Sequence, residues 1–143
     1  MEASYILLPL VDYNENAFNA ELSELFPFCR VVNIDYHTQR FLIAFKDIEA
    51  LLNDENAEKE VYEYDTKLEY FSRKHPYLDI GVIHVVGEDK NCFYDGYILK
   101  NRKKIKEYSG MHDAYVPIIK HFMPECRGVD LNIFTREFLN KSI

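Results

Sequence analysis

The sequence predicts an α+β fold: one domain over residues 1–143, with an antiparallel sheet and helices packed on one of its faces. Short runs rich in Val, Ile and aromatic residues are separated by turn signals, as antiparallel strands require. Between them lie segments whose apolar residues recur every three or four positions, the spacing of a helix face. A chain of 143 residues that is 48% hydrophobic is also long enough to bury one core.

The chain is expected to begin with a buried strand and a helix. Residues 4–10, SYILLPL, form an apolar run that predicts the strand. A helix is predicted over residues 15–26, where Phe18, Leu22 and Leu25 fall on one stripe.

A hairpin and a short helix are predicted next. Residues 29–37 and 39–45 are rich in β-branched and aromatic residues and are close enough for a tight turn. Asp47 can then cap a short helix with the sequence IEALL.

A long acidic helix is predicted from Ala57 to about Lys74, ended by Pro76. One stripe is apolar and is expected to face the core, and Tyr62 is expected to project away from it. The apolar stripe is Val61, Tyr64, Leu68 and Phe71, and the other faces carry Glu58, Glu60, Glu63, Asp65 and Glu69.

The second half predicts a three-stranded meander over about 78–109. Its runs are residues 78–86, 92–100 and 103–109, and Asn101 and Arg102 fit a two-residue tip of the second hairpin. A longer loop is the alternative, because glycine would adopt the conformation required at Arg102 more easily. A helix is expected to follow, with Tyr115, Ile118, Ile119 and Phe122 on one stripe and Pro124 at its end, and a last helix is expected within residues 129–139.

Charge is divided unevenly along the chain. Residues 1–72 hold 15 Asp and Glu against 5 Lys and Arg, whereas residues 73–143 hold 9 against 12. No apolar run is long enough for a membrane span, and the N-terminus lacks the pattern of a secretion signal. We therefore expect a cytoplasmic protein whose charge bears on its partners.

The sequence contains no established catalytic or cofactor motif. Its five glycines are scattered singly, which excludes a phosphate-binding glycine loop. Cys92 and His84 could meet on adjacent strands, near Tyr94, as a nucleophile and its base, but a buried thiol and a core histidine explain the pair more simply. His112, His121 and Cys126 match no common zinc spacing, so no metal and no cofactor is predicted.

The acidic helix is the predicted binding surface, and its partner-binding residues are Glu58, Tyr62, Glu63, Asp65 and Glu69. Its carboxylates can steer a basic partner, and its exposed tyrosine supplies contact area. In size, acidity, tyrosine content and lack of a catalytic motif, the chain resembles the small cytoplasmic immunity proteins of bacterial toxin systems. That resemblance implies a non-enzymatic inhibitor that binds and neutralises a basic toxin or nuclease-like protein.

Two alternatives remain open. The cations Lys100, Arg102, Lys103, Lys104 and Lys106 could make the hairpin at residues 100–106 a nucleic-acid contact, although the negative charge of the first half opposes phosphate binding. The same cations also guard an edge strand against pairing with other chains, which needs no nucleic acid. The other alternative is a small enzyme with a site near His84 and Cys92.

Overall fold

The computed structural model describes residues 2–9, 15–36, 39–47, 55–87, 91–111, 114–122 and 124. These residues contain six strands and three helices, so the predicted α+β fold is confirmed. The strands are β1 (Glu2–Pro9), β2 (Arg30–Tyr36), β3 (Gln39–Asp47), β4 (Ile80–Val86), β5 (Phe93–Lys100) and β6 (Lys103–Met111), and the helices are α1 (Glu15–Leu25), α2 (Glu55–Lys74) and α3 (Val116–Phe122).

All six strands belong to one antiparallel sheet, in the order β2-β3-β1-β4-β5-β6. β1 lies in the interior, paired with β3 on one side and β4 on the other. Its residues 3–8 are all buried. A strand covered on both faces favours a continuous apolar run over an alternating one, and this is what residues 4–10 contain.

The sheet has a core on each face, because successive side chains of a strand point to opposite sides. Tyr5 and Leu7 belong to one core, and Ile6 and Leu8 belong to the other. The Ile6 core also holds the buried residues of α1 and α2, whereas the Tyr5 core holds those of α3. We call the two sides the α1–α2 face and the α3 face.

The prediction that the helices gather on one face is therefore correct for α1 and α2 and wrong for α3. α3 packs its buried Ile118 and Ile119 on the opposite side, against β4 and β5. Close packing is possible because the strands carry glycine below the helix. A Cβ atom at Gly81 would lie 2.7 Å from Phe122 Cε2, and one at Gly96 would lie 3.0 Å from Ile118 Cγ1.

The predicted hairpins are confirmed. β2 pairs with β3 from Arg30↔Phe45 to Tyr36↔Gln39, and β4, β5 and β6 form the predicted meander. Asn101 and Arg102 form the tip between β5 and β6, both with positive φ (48° and 69°), as a two-residue type I′ turn requires. The pairing shifts between Ile98 and Leu99, whose partners are Lys106 and Lys104.

Some predicted elements lie outside the described residues. These are the IEALL helix after Asp47 and the last helix within 129–139. Within the described part of the chain, no helix combines the length and the apolar character needed to cross a membrane.

Candidate functional site

α2 presents an exposed acidic stripe beside its buried one. Leu68 and Phe71 are buried in the core of the α1–α2 face, and Tyr64 packs against it. Offsets of four, seven and eleven residues from Glu58 return to nearly the same side of a helix. The residues at those positions are Tyr62, Asp65 and Glu69, and all four are exposed, Tyr62 to 79%.

Two other carboxylates of α2 do not belong to this stripe. Glu63 lies on the other flank between two lysines, with its oxygens 3.9 Å from Lys59 Nζ and 4.0 Å from Lys67 Nζ. Glu60 is only 3% exposed, because it precedes Tyr64 by one helical turn on the core side. The predicted set of binding residues is thus divided: Glu58, Tyr62, Asp65 and Glu69 share one surface, and Glu63 lies elsewhere.

Polar contacts along α2 hold the helix on the sheet. Near its middle, the hydroxyl groups of Tyr64 and Ser4 are 2.7 Å apart, and Ser4 is buried in β1. Near its end, the buried Ser72 Oγ accepts a hydrogen bond of 2.9 Å from the backbone N–H of Arg102 at the hairpin tip. The acidic stripe is therefore displayed on a helix that is fixed to β1 and to the β5–β6 hairpin.

β5 extends the acidic stripe onto the sheet. Tyr97 faces α1 and α2, and Asp95, two residues earlier in the strand, points to the same side. Burial raises the pKa of the Tyr97 phenol, and the negative charges of Asp65, Asp95 and Glu69 raise it further. These three carboxylates thus lie close enough to act on one phenol, although they come from two elements.

A lysine of the chain itself occupies part of this surface. The Nζ of Lys104 lies 4.5 Å from the centroid of the Tyr97 ring and 3.7 Å from Glu107. A cation over an aromatic ring among carboxylates is the contact that a basic partner would make there. We call Glu58, Tyr62, Asp65, Glu69, Asp95 and Tyr97 the acidic–aromatic surface.

An exposed apolar row lies on the same face of the sheet. Val86 pairs with Phe93, and Phe93 pairs with Met111, so the three side chains cross β4, β5 and β6 in line. Each is almost half exposed. Phe93 and Asp95 are neighbours on this face, since they are two residues apart in β5. Aromatic and Met side chains are enriched in the buried centre of protein interfaces.

The cations of the hairpin do not form one basic surface. Lys104 contacts Tyr97 on the α1–α2 face, whereas Lys106 lies 3.2 Å from His121 on the α3 face. Lys100 lies 3.5 Å from Asp79, and its charge is partly offset there. The nucleic-acid alternative needs cations aligned along one backbone, and Lys104 lies on the opposite side of the sheet from Lys106.

The positions of His84 and Cys92 do not favour the enzymatic alternative. His84 is on the α1–α2 face, 3.4 Å from Glu2, whereas the buried thiol of Cys92 belongs to the core of the α3 face together with Tyr94. The sheet therefore lies between the imidazole and the thiol. Among the residues that the structure describes, no three His, Cys, Asp or Glu side chains cluster as metal ligands do. Of the residues weighed for zinc, His112 and Cys126 lie outside that part of the chain.

Sequence reasoning missed Asp95 and Tyr97 as members of the surface. Their alternation in β5 shows that they share a face, but not that α2 lies beside them. It also counted Glu60 as solvated, although Glu60, Tyr64, Leu68 and Phe71 are spaced as one stripe. That spacing was the available signal for the burial of Glu60.

Comparison of the chain with protein-family models, with curated proteins and with solved structures gave no match.

Proposed function

We propose that this chain is a non-enzymatic inhibitor of the immunity type, which binds and neutralises a basic toxin or nuclease-like protein. The observation that carries the proposal is the acidic–aromatic surface itself. It combines exposed carboxylates from two elements with an exposed tyrosine on a helix that is anchored to the sheet. Enzymes that cleave nucleic acids use cationic clefts to hold phosphates, and carboxylates at fixed positions can take the place of phosphates there.

The two kinds of side chain serve different steps of binding. The carboxylates Glu58, Asp65, Glu69 and Asp95 accelerate the encounter with a cationic protein through long-range attraction. Tyr62 offers a large, rigid contact area, and tyrosine is enriched among the residues that dominate binding energy. The neighbouring apolar row of Val86, Phe93 and Met111 adds area that a partner can cover.

Two experiments test the proposal. One is affinity purification of the chain with its partners from the native host, and the other is a binding assay with the product of the adjacent gene. A basic protein should bind one-to-one, and its activity should be blocked in the complex. Asp65→Asn combined with Glu69→Gln should weaken binding by about tenfold, equivalent to roughly 1.4 kcal/mol, and should act mainly on the association rate.

The chain offers a matched control for this double variant. Glu24→Gln combined with Glu63→Gln removes the same formal charge from exposed or half-exposed helical positions outside the acidic–aromatic surface. Binding should be nearly unchanged in the control. If no basic partner is found, or if Asp65→Asn with Glu69→Gln weakens binding no more than the control does, the proposal is wrong.

A further inference from the structure

A second, cationic site lies on the opposite side of the sheet. Between β6 and α3 there is an open cavity of about 500 Å³, lined among others by Lys106, Tyr108, Val116, Pro117, Lys120 and His121. This volume is within the range of small-molecule sites, about 300–1,000 Å³. Its wall has an apolar part, from Val116, Pro117 and the Tyr108 ring, and a cationic part, from two lysines.

The position of the Lys106 ammonium is set by a chain of polar contacts. Asp79 can only accept, so the Nε2–H of His121 donates to Asp79 Oδ2 at 2.9 Å. The other ring nitrogen, Nδ1, then keeps its lone pair and accepts from Lys106 Nζ at 3.2 Å. Lys100 lies 3.5 Å from Asp79 and balances the carboxylate.

The described residues that line the cavity include two lysines and no carboxylate. Asp79 is paired by Lys100 and His121, and the neutral imidazole cancels none of the charge on Lys106. An ammonium group has three N–H donors, and His121 uses one of those on Lys106. Lys120, exposed on α3, adds a second cation at the same cavity.

We propose that this cavity binds a small organic anion, with an apolar body against Tyr108, Val116 and Pro117 and a phosphate or carboxylate head between Lys106 and Lys120. His121 is a positioning residue, which holds the Lys106 ammonium at the wall through its bond to Asp79. The site is on the face opposite to the acidic–aromatic surface, so it is independent of the proposed inhibitor function.

The first test is a titration of the full chain with phenyl phosphate and with benzoate, followed by two-dimensional NMR of the backbone amides. We expect saturable shifts of Tyr108, Val116 and Lys120 with a dissociation constant of about 1 mM or lower for at least one of the two anions. The stronger of the two identifies the preferred head group. Inorganic phosphate and phenol, which lack the apolar body and the charged head respectively, should each bind at least about tenfold more weakly.

Variants separate a site from general attraction to surface lysines. Lys106→Gln and Lys120→Gln should each weaken binding about tenfold, because each removes a charge-assisted hydrogen bond. Lys103→Gln removes an equal charge from the same strand, outside the cavity, and should leave binding unchanged. Preserved amide dispersion in the rest of the spectrum shows that the variants are folded.

A spectroscopic signature tests the role of His121. At about pH 8, where an ordinary imidazole is neutral, its ring should be the Nε2–H tautomer. The Nδ1 resonance should move when phenyl phosphate is added to the unmodified chain and should not move in Lys106→Met. The proposal is wrong if neither organic anion gives saturable shifts, if Lys103→Gln weakens binding as much as Lys106→Gln, or if phenol or inorganic phosphate binds as tightly as the organic anions.

Discussion

Glu21 joins α1 to the end of α2. Its carboxylate lies 2.9 Å from Lys74 Nζ and accepts a hydrogen bond of 2.8 Å from His75 Nε2. Burial alone would raise the pKa of Glu21, but the bonds from Lys74 and His75 outweigh burial and lower it below the ordinary value of 4.5. The ionised carboxylate is therefore the form that stabilises the fold.

We expect Glu21→Gln to lower the free energy of unfolding by about 1 kcal/mol at neutral pH, because the amide cannot replace a charged acceptor. A carboxyl group with a lowered pKa stabilises the fold above its unfolded pKa and loses that contribution as the pH falls through its folded pKa. The difference between the variant and the unmodified chain should thus shrink as the pH falls below about 4.5. Urea unfolding at several pH values measures it.

Glu24→Gln is the matched control, since Glu24 is exposed on the same helix. It should change the unfolding free energy little at any of these pH values. A difference between Glu21→Gln and the unmodified chain that stays constant down to acid pH would mean that the carboxylate charge of Glu21 has no part in stability.

Single residues also show where sequence reasoning succeeds and fails. The exposure of Tyr62 and the core position of Tyr64 were both predicted from helix periodicity, because two residues apart on a helix means different sides. The ion pairs of Glu63 with two lysines could not be predicted from periodicity alone. Lys59 and Lys67 are each four residues away, but only a folded side chain shows that both are within 4.0 Å.

At the scale of elements, the contact between α3 and the sheet depends on Gly81 in β4. An added methyl group would lie 2.7 Å from Phe122 Cε2 and 3.2 Å from Leu7 Cβ. We expect Gly81→Ala to destabilise the fold by about 1–3 kcal/mol, as overpacking does in other cores. Urea unfolding measures the loss.

A second background identifies the cause of that loss. Phe122→Leu removes the nearest ring atom, so the additional cost of Gly81→Ala should be smaller in that background than in the unmodified chain. Equal costs in both backgrounds would show that crowding by the Phe122 ring is not the reason.

The β5–β6 hairpin carries strain at Arg102. Its φ of 69° is in the left-handed region, which costs a residue with a side chain about 1–2 kcal/mol. Glycine removes that cost, but it loses about 0.5–1 kcal/mol more entropy on folding. We therefore expect Arg102→Gly to stabilise the fold by roughly 0.5–1 kcal/mol in thermal or urea unfolding, while its N–H keeps the bond to Ser72.

Lys103, the first residue of β6, provides the comparison for the hairpin. Lys103→Gly gains no relief at a position of ordinary strand geometry and should destabilise by about 0.5–1 kcal/mol. If Arg102→Gly also destabilised the fold, the prediction would be wrong. The Arg102 side chain would then stabilise the fold by more than the free-energy cost of its positive φ.

Elements were predictable from sequence to the extent that their signals are local. The two-residue tip, the alternating strands and the stripe of α2 each follow from neighbouring residues. The face on which α3 packs depends instead on residues far apart in sequence, since Ile118 and Ile119 share a core with Tyr5 and Ile43. The helix pattern alone could therefore not show that α3 lies on the other side of the sheet.

At the scale of the whole molecule, the acidic and basic halves of the sequence occupy opposite sides of the strand order. The acidic first half supplies β2, β3, β1, α1 and α2, and the basic second half supplies β4, β5, β6 and α3. One boundary, between β1 and β4, therefore separates the two halves within the sheet. α2 crosses this division, because the negative charges of its Asp65 and Glu69 raise the pKa of Tyr97 in the second half.

This arrangement predicts that the acidic–aromatic surface lowers the stability of the free protein. Asp65 and Glu69 are like charges four residues apart, and Asp95 adds a third close to Tyr97. We expect Asp65→Asn combined with Glu69→Gln to raise the free energy of unfolding by about 0.5 kcal/mol at low salt, and the gain to fade as salt screens the charges. Urea unfolding at low and high salt measures both.

The control, Glu24→Gln combined with Glu63→Gln, should change stability in the opposite direction, because Glu63 is flanked by Lys59 and Lys67. Residues that cost stability in the free protein are typical of sites kept for binding, where a partner supplies the missing opposite charge. If neutralising Asp65 and Glu69 instead lowered stability at low salt, cations within the chain would already balance these carboxylates. The surface would then have little net charge to attract a basic protein.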